Sequence, residues 1–185
     1  MQCPFRSCYC ALCASLMLLL GAAGPISVAA ESEDVVELQW EDLVPKDWNP
    51  RNPLEKLSSR LNELTDASPE ATEIMAEMRQ IWDNAPVVEE LDNRQVRLPG
   101  YVVPLDFEGT EVSEFLLVPY FGACIHVPPP PANQIVYVKT ENKLKIEGMF
   151  DPVWVTGTLK TVRASSELAQ SGYSMDASVV TPYEE

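Results

Sequence analysis

From Leu54 onward the apolar positions recur at helical spacing. Leu54, Leu57, Leu61 and Leu64 form one stripe, and Ile74, Met75, Met78, Ile81 and Trp82 form a second. Asn52-Pro53 supplies a cap and a proline at the first helical position, and Ser68-Pro69-Glu70 repeats that signal for the second helix. Asp66 to Ser68 provides the turn. The spacing predicts a helical hairpin over residues 52–84, with Met75 and Met78 filling core rather than binding metal. After Asn84-Ala85-Pro86 the period changes to that of strands. Val87-Val88 and Val96-Arg97-Leu98 flank a polar turn at Asp92-Asn93, and Gly100 to Leu105 continues as a strand or bulged strand. Glu114 to Pro119 reads as a mostly buried strand, Ile135 to Lys139 alternates, and Glu141-Asn142 predicts a turn into Leu144-Lys145-Ile146. Val153 to Leu159 is rich in β-branched residues, and its internal Gly157 predicts a bend. Tyr173 to Met175, with Val179 and Val180, gives a last short strand. Residues 85–185 therefore predict a small antiparallel β-barrel domain, with the OB type as the topology to test. The fold class is α+β: an N-terminal helical hairpin followed by that barrel.

Two segments precede this pattern. Met1 to Ala30 carries one charge, Arg6, an apolar run from about Tyr9 to Ala23, and a small-residue exit at Ser27-Val28-Ala29-Ala30. That order describes a secretory signal peptide over residues 1–30. The apolar run falls short of the roughly 20 residues a bilayer-spanning helix needs, so no membrane insertion is expected after cleavage. Residues 31–51 are acidic and punctuated by proline and tryptophan. They read as an extended lead-in that docks through Trp40, Leu43 and Trp48.

Cleavage changes the charge and the cysteine count. Without Arg6, the 13 basic residues become 12 against 28 acidic ones, a net charge of −16. Nucleic-acid binding depends on Lys and Arg meeting phosphate, so this balance argues against nucleic acid and against an anionic membrane surface. It favours cations instead. Of five cysteines, Cys3, Cys8, Cys10 and Cys13 leave with the signal. Cys124 remains alone, without an internal disulfide partner, and is free, metal-bound or paired with another molecule.

Cys124 lies two residues from the single histidine, His126, in the run Gly122-Ala-Cys-Ile-His-Val-Pro-Pro-Pro-Pro-Ala-Asn-Gln134. On an extended segment, side chains at i and i+2 share a face, so a thiolate and an imidazole would converge there. Two donors cannot complete a zinc site, which takes four protein ligands when closed and three when open. The remaining ligands must come from carboxylates, methionine or a second molecule. Asp106 and Glu108 after one strand, and Met149 and Asp151 before another, are the further candidates. A Cys/His/carboxylate set suits zinc; a Cys/His/Met set suits copper. Three other readings use the same residues. Cys124 and His126 can be a nucleophile and base, although neighbours on one strand point in parallel and no oxyanion loop is evident. A redox thiol lacks a resolving partner. Cys124 can also pack in the core while His126 anchors the stiff Pro128–Pro131 segment. That segment either walls a site rigidly or offers a ridge to a partner.

The runs Val96-Arg-Leu-Pro-Gly-Tyr-Val-Val-Pro-Leu105 and Leu117-Val-Pro-Tyr-Phe-Gly-Ala-Cys-Ile-His126, the four prolines, Asn133-Gln134 and Pro152-Val-Trp-Val-Thr-Gly157 resemble a bacterial family known only as a domain of unknown function. The resemblance covers most of the chain after residue 30. Its members look like exported or lipid-anchored proteins, some encoded beside transporter components linked to metal supply. The resemblance thus implies a soluble periplasmic protein that binds a transition metal, zinc ahead of copper, and serves an envelope transporter or accessory protein. This chain lacks the lipid-attachment cysteine of some relatives, so an anchor is not carried over. The competing expectation is a non-catalytic envelope scaffold in which Cys124 and His126 are structural. An enzyme ranks third.

Overall fold

The computed structural model describes residues 34–64, 68–106, 111–123, 129–146 and 150–183. The expected signal peptide lies outside them. In chain order the elements are β1 (Val36–Glu37), α1 (Arg51–Leu61), α2 (Pro69–Asp83), β2 (Arg94–Pro104), β3 (Glu111–Val118), β4 (Val136–Lys145), β5 (Pro152–Lys160), β6 (Ala164–Ser165), β7 (Gln170–Ser171) and β8 (Tyr173–Pro182). β2, β3, β4, β8 and β5 follow one another around a sheet that closes when β2 pairs with β5. The molecule is therefore a five-stranded closed barrel with two helices.

The barrel is not purely antiparallel, as the alternating pattern predicts. β4 and β8 run parallel, from Val136↔Tyr173 to Thr140↔Ala177, and β1 runs parallel to β2. Parity requires this. A closed ring with an odd number of strands cannot alternate direction all the way round, so one neighbouring pair must be parallel. That pair needs a long crossover, and here the whole of β5 and the short β6–β7 ribbon lie between β4 and β8.

β2 is one strand through Pro99 and Gly100, which takes in Val96–Leu98 and most of the expected continuation over Gly100 to Leu105. Its first part pairs with β5 from Arg94↔Leu159 to Tyr101↔Pro152, and its last part pairs with β3 from Tyr101↔Val118 to Pro104↔Phe115. On the side opposite β5, the strand passes from β1 to β3. Pro99 sits in that gap, and its carbonyl accepts from the Trp40 indole N–H at 2.8 Å. A residue's N and O point to the same side of a strand, so the missing N–H of Pro99 faces no ladder. The predicted turn at Glu141–Asn142 is an excursion within β4. Val112 pairs with Leu144 but Glu114 with Lys139, so β4 carries the extra residues. The predicted bend at Gly157 is present as a register shift against β8 between Thr156 and Gly157. Val87-Val88 is not a strand; the chain there forms a short 3-10 turn, Glu89–Leu91, ahead of the turn at Asn93, where φ is 57°.

The lead-in belongs to the barrel core. Leu38 and Leu43 are buried in one cluster with Val96, Leu98, Phe115 and Tyr173. Tyr173 is fully buried. Its hydroxyl donates to the Leu43 carbonyl (2.8 Å) and accepts from the Val88 N–H (2.7 Å), tying β8 to two distant segments. Burial pushes this phenol up to about 12, against the Val88 bond and with Glu89 and Glu90 adding to the rise. The unfolded chain releases the proton near pH 10, whereas the folded chain holds it. The contribution is therefore intact below about pH 10 and is lost as pH rises through 12. Stability from urea denaturation is expected to fall by about 2–3 kcal/mol across that window. A Tyr173→Phe protein, weaker at every pH, is expected to lack this step; an equal step in both would refute the assignment.

α2 begins as expected, with Ser68 Oγ accepting from the Ala71 N–H and Pro69 at the first position. α1 starts at Arg51, two residues ahead of the expected first position at Pro53 and with Pro50 rather than Asn52 at the cap; the Asn49 carboxamide accepts from the Arg51 N–H at 3.0 Å. The buried side of α2 is Ala71 and Ile74. Met75 lies one residue, or 100°, further round and is 46% exposed, so it does not fill the core. Among the described residues no helix is long and apolar enough to cross a membrane.

Candidate functional site

The Cys-His run lies in the connection between β3 and β4. Cys124 and His126 are outside the described residues, as are Glu108 and Met149. Both flanks of the run are described. On the N-terminal flank, Gly122 adopts φ 83°, a left-handed conformation that favours glycine. Ala123 is fully buried in a second apolar cluster with Val103, Leu116, Val118, Ile135 and Phe150. Phe121, three residues before Cys124, packs edge-on to Tyr101 at 6.3 Å and against Phe150 at 5.0 Å.

Phe150 holds φ 67°, unusual for a bulky side chain. Two backbone bonds fix it there: Phe150 N–H donates to Val102 O (2.8 Å), and Val102 N–H donates to Asp151 O (3.1 Å). Asp151 thus enters β5 beside the stretch of β2 from which β3 departs. Because Tyr101 faces both Val118 and Pro152, the start of β5 and the exit of β3 share one end of the barrel.

Asp106 is elsewhere. It follows β2 at the other end of β3, five residues along the strand or about 17 Å away. Its carboxylate accepts from Ser113 Oγ (2.8 Å), Glu114 N–H (2.8 Å) and Ser113 N–H (3.3 Å). Burial opposes its charge, but these bonds outweigh it and hold the group below its ordinary range. Asp106 closes a turn. The barrel therefore separates the two carboxylates that sequence offered as equals, and Asp151 is the one whose neighbour Phe150 touches Phe121 on the described N-terminal flank of the run. Among the described residues no group of three or more His, Cys, Asp or Glu side chains is arranged to hold a metal ion.

On the C-terminal flank, Pro129 and Pro130 wall a groove of about 230 Å³ with Leu61, Met75, Met78 and Trp82. The following 3-10 turn, Ala132–Gln134, is a junction. The buried Asn133 amide donates to Pro86 O (2.9 Å), and the Gln134 amide donates to Trp40 O (2.7 Å). Gly172 N–H donates to Ala132 O (2.6 Å), an approach so close that a Cβ on Gly172 would meet that oxygen at 2.8 Å. Among the described residues Asn133 Oδ1 is buried without a hydrogen-bond partner.

A second polar group escaped the sequence reading. On the outer face of β3 and β4, the Tyr137 hydroxyl donates to Glu114 Oε2, and Lys139 Nζ lies 3.0 Å from Glu114 Oε1. The Tyr137 and Lys139 bonds hold Glu114 below its usual range, while burial and the Glu114 bond push Tyr137 up. The i, i+2 spacing of Tyr137 and Lys139 was a signal, but Glu114 joins them only through the β3–β4 register.

Comparison with known proteins adds kinship. A comparison with curated proteins gave no match. A family model described as a protein of unknown function, DUF3299, matches residues 40–182. A crystal structure of a DUF3299 family protein from Pseudomonas aeruginosa PAO1 is 48% identical, with a TM-score of 0.63, covering 82% of this chain and 97% of its own. The chain belongs to the DUF3299 family.

Proposed function

We propose that this chain is an exported, periplasmic protein, soluble after removal of residues 1–30, that binds a transition metal through Cys124 and His126 and serves a metal transport system as a binding or accessory component. Zinc is the leading metal and copper the second. The Gly122–Gln134 run is then the functional signature of the chain. The observation that carries the reading is the Phe121–Phe150 contact at 5.0 Å, which brings the Asp151 segment to the root of the Cys-His run. Asp151, with Met149 beside it in sequence, is the favoured source of further ligands. Asp106 is engaged with Ser113 and Glu114 and, with Glu108, ranks behind them. The strand order, with its single parallel pair between the third and fifth barrel strands, supports an OB-type barrel. We read α1 and α2 as a hairpin beside it.

The competing reading is a non-catalytic envelope scaffold. The hydrogen bonds from Asn133 to Pro86 and from Gln134 to Trp40 favour it, because they make this connection a structural corner joining the lead-in, α2 and the barrel.

Metal content separates the two. Protein purified from the periplasm is expected to hold about one zinc per chain. Cys124→Ser and His126→Ala are expected to lose it while, compared metal-free, unfolding at the temperature of the unsubstituted protein, and Asp151→Asn to weaken it by roughly tenfold or more, as loss of a ligating or orienting group does. Asp106→Asn is expected to keep it. Sub-stoichiometric metal in every protein, with no affinity on titration of zinc or copper, would reject the metal reading. Unfolding of the Cys124 or His126 variant without any change in metal would favour the scaffold.

A further inference from the structure

We propose that the outer face of β3 and β4, where Glu114 and Tyr137 lie beneath the Ser165–Leu168 loop, binds a neutral saccharide unit. This face is separate from the Cys-His run, and the inference does not rest on the metal reading. A cup of about 410 Å³ lies there, lined by Pro104, Leu105, Glu114, Tyr137, Ser165 and Leu168 among others. That volume falls within the usual range for small-ligand sites.

The lining suits a sugar, which offers apolar C–H faces and pairs of hydroxyls together. Leu105, Leu168 and the Tyr137 ring supply apolar surface, and Leu168 is 37% exposed. A carboxylate accepts about four hydrogen bonds; Tyr137 and Lys139 engage one oxygen each, leaving Glu114 with capacity on both. Ser165 Oγ accepts from the Gln170 amide at 2.6 Å and keeps its own proton to donate. The face is thus preorganised by internal bonds yet retains donors and acceptors. Its position agrees with the chemistry. β3 and β4 are the second and third strands of the barrel, and the Ser165–Leu168 loop joins the fourth to the fifth. In barrels of OB order this face carries oligonucleotides or oligosaccharides. A chain of formal net charge −15, with Glu114 and Glu167 both lining the cup, repels the first and leaves the second. The displaced titrations of Glu114 and Tyr137 mark the same face.

The test titrates maltotriose, cellotriose, chitotriose and oligothymidylate separately into the folded protein, read by calorimetry and by amide chemical shifts. Saturable binding of at least one trisaccharide is expected, with shifts centred on β3, β4 and residues 165–168. Glu114→Gln and Tyr137→Phe, each checked for unchanged thermal unfolding, are expected to weaken it by about tenfold or more. Cys124→Ser is expected to leave it unchanged. The phenylalanine keeps the ring, so it remains informative if the Glu114 variant misfolds. Absence of binding by all three sugars at millimolar concentration, binding indifferent to both variants, or saturation by oligothymidylate instead would each overturn the proposal.

Discussion

A Leu43→Ala protein is expected to lose about 3–5 kcal/mol of folding stability in urea denaturation, although position 43 lies in a segment whose sequence reads as an acidic lead-in. Leu43 is fully buried and occupies the last position of the 3-10 turn Trp40–Leu43. It joins the main core with Leu38, Leu98 and Phe115, and its carbonyl receives the Tyr173 hydroxyl. Truncation removes three carbons and leaves a void bordered by strands of a closed ring. Such walls cannot collapse inward as a helix end can, so the cavity contribution falls at the upper part of the range. The control is Val35→Ala. That side chain is 51% exposed, so its loss is expected to stay within about 0.5 kcal/mol. A Leu43→Ala loss below about 1 kcal/mol would mean that the lead-in is not part of the barrel core.

Gly157→Ala is expected to cost about 3 kcal/mol or more, a large effect for a single methyl group. A Cβ at position 157 would stand 2.3 Å from Asp176 O, 2.8 Å from Ala177 Cα and 2.9 Å from Asp176 C. All three atoms are backbone, so no rotamer change relieves the overlap, and β8 itself must move. The site coincides with the register shift between β5 and β8. Movement there also disturbs the Val155↔Val180 and Leu159↔Met175 pairs on either side. Thr158→Ala, which gives up only the bond from the Gln95 amide at 2.8 Å, is expected to cost about 1 kcal/mol. If the two variants unfold at the same urea concentration, the close approach at Gly157 is not a constraint.

Val153 to Leu159 shows what sequence can deliver. Its alternation of buried and partly exposed positions matches a strand with one face on the core, and Gly157 marks its irregular point. Pro99 and Glu141-Asn142 show the limit. Pro99 signals a bulge or an edge and Glu141-Asn142 a turn, and in each case the partner strands decide which form the irregularity takes. Pro99 falls where β2 has no hydrogen-bonded neighbour on one side, and Glu141-Asn142 belongs to an excursion opposite Ser113. Neither partner is visible from within the segment. The barrel was legible because period two is local; its parallel pair was not, because direction is settled only when the ring closes. The site divides the same way. Cys124 and His126 stand out by residue type alone, whereas the choice between Asp106 and Asp151 depends on which end of β3 each occupies. Met75 was assigned to the core from its spacing, yet the buried side of α2 is set by Ala71 and Ile74.

The Tyr173–Leu43 bond joins residues 130 positions apart, and its consequence concerns the order in which the chain can fold. β8 is the neighbour of both β4 and β5, so the ring has open edges until that strand arrives. Contacts this distant fold slowly, typically in milliseconds to seconds, because loop closure must precede the reward. A nascent chain lacking its final strand leaves Leu38 and Leu43 without the tyrosine that completes their cluster, and unpaired edges of that kind invite association with other chains. Folding is therefore held back until β8 has been made. That delay would keep the polypeptide extended for any step that must act on it before it closes.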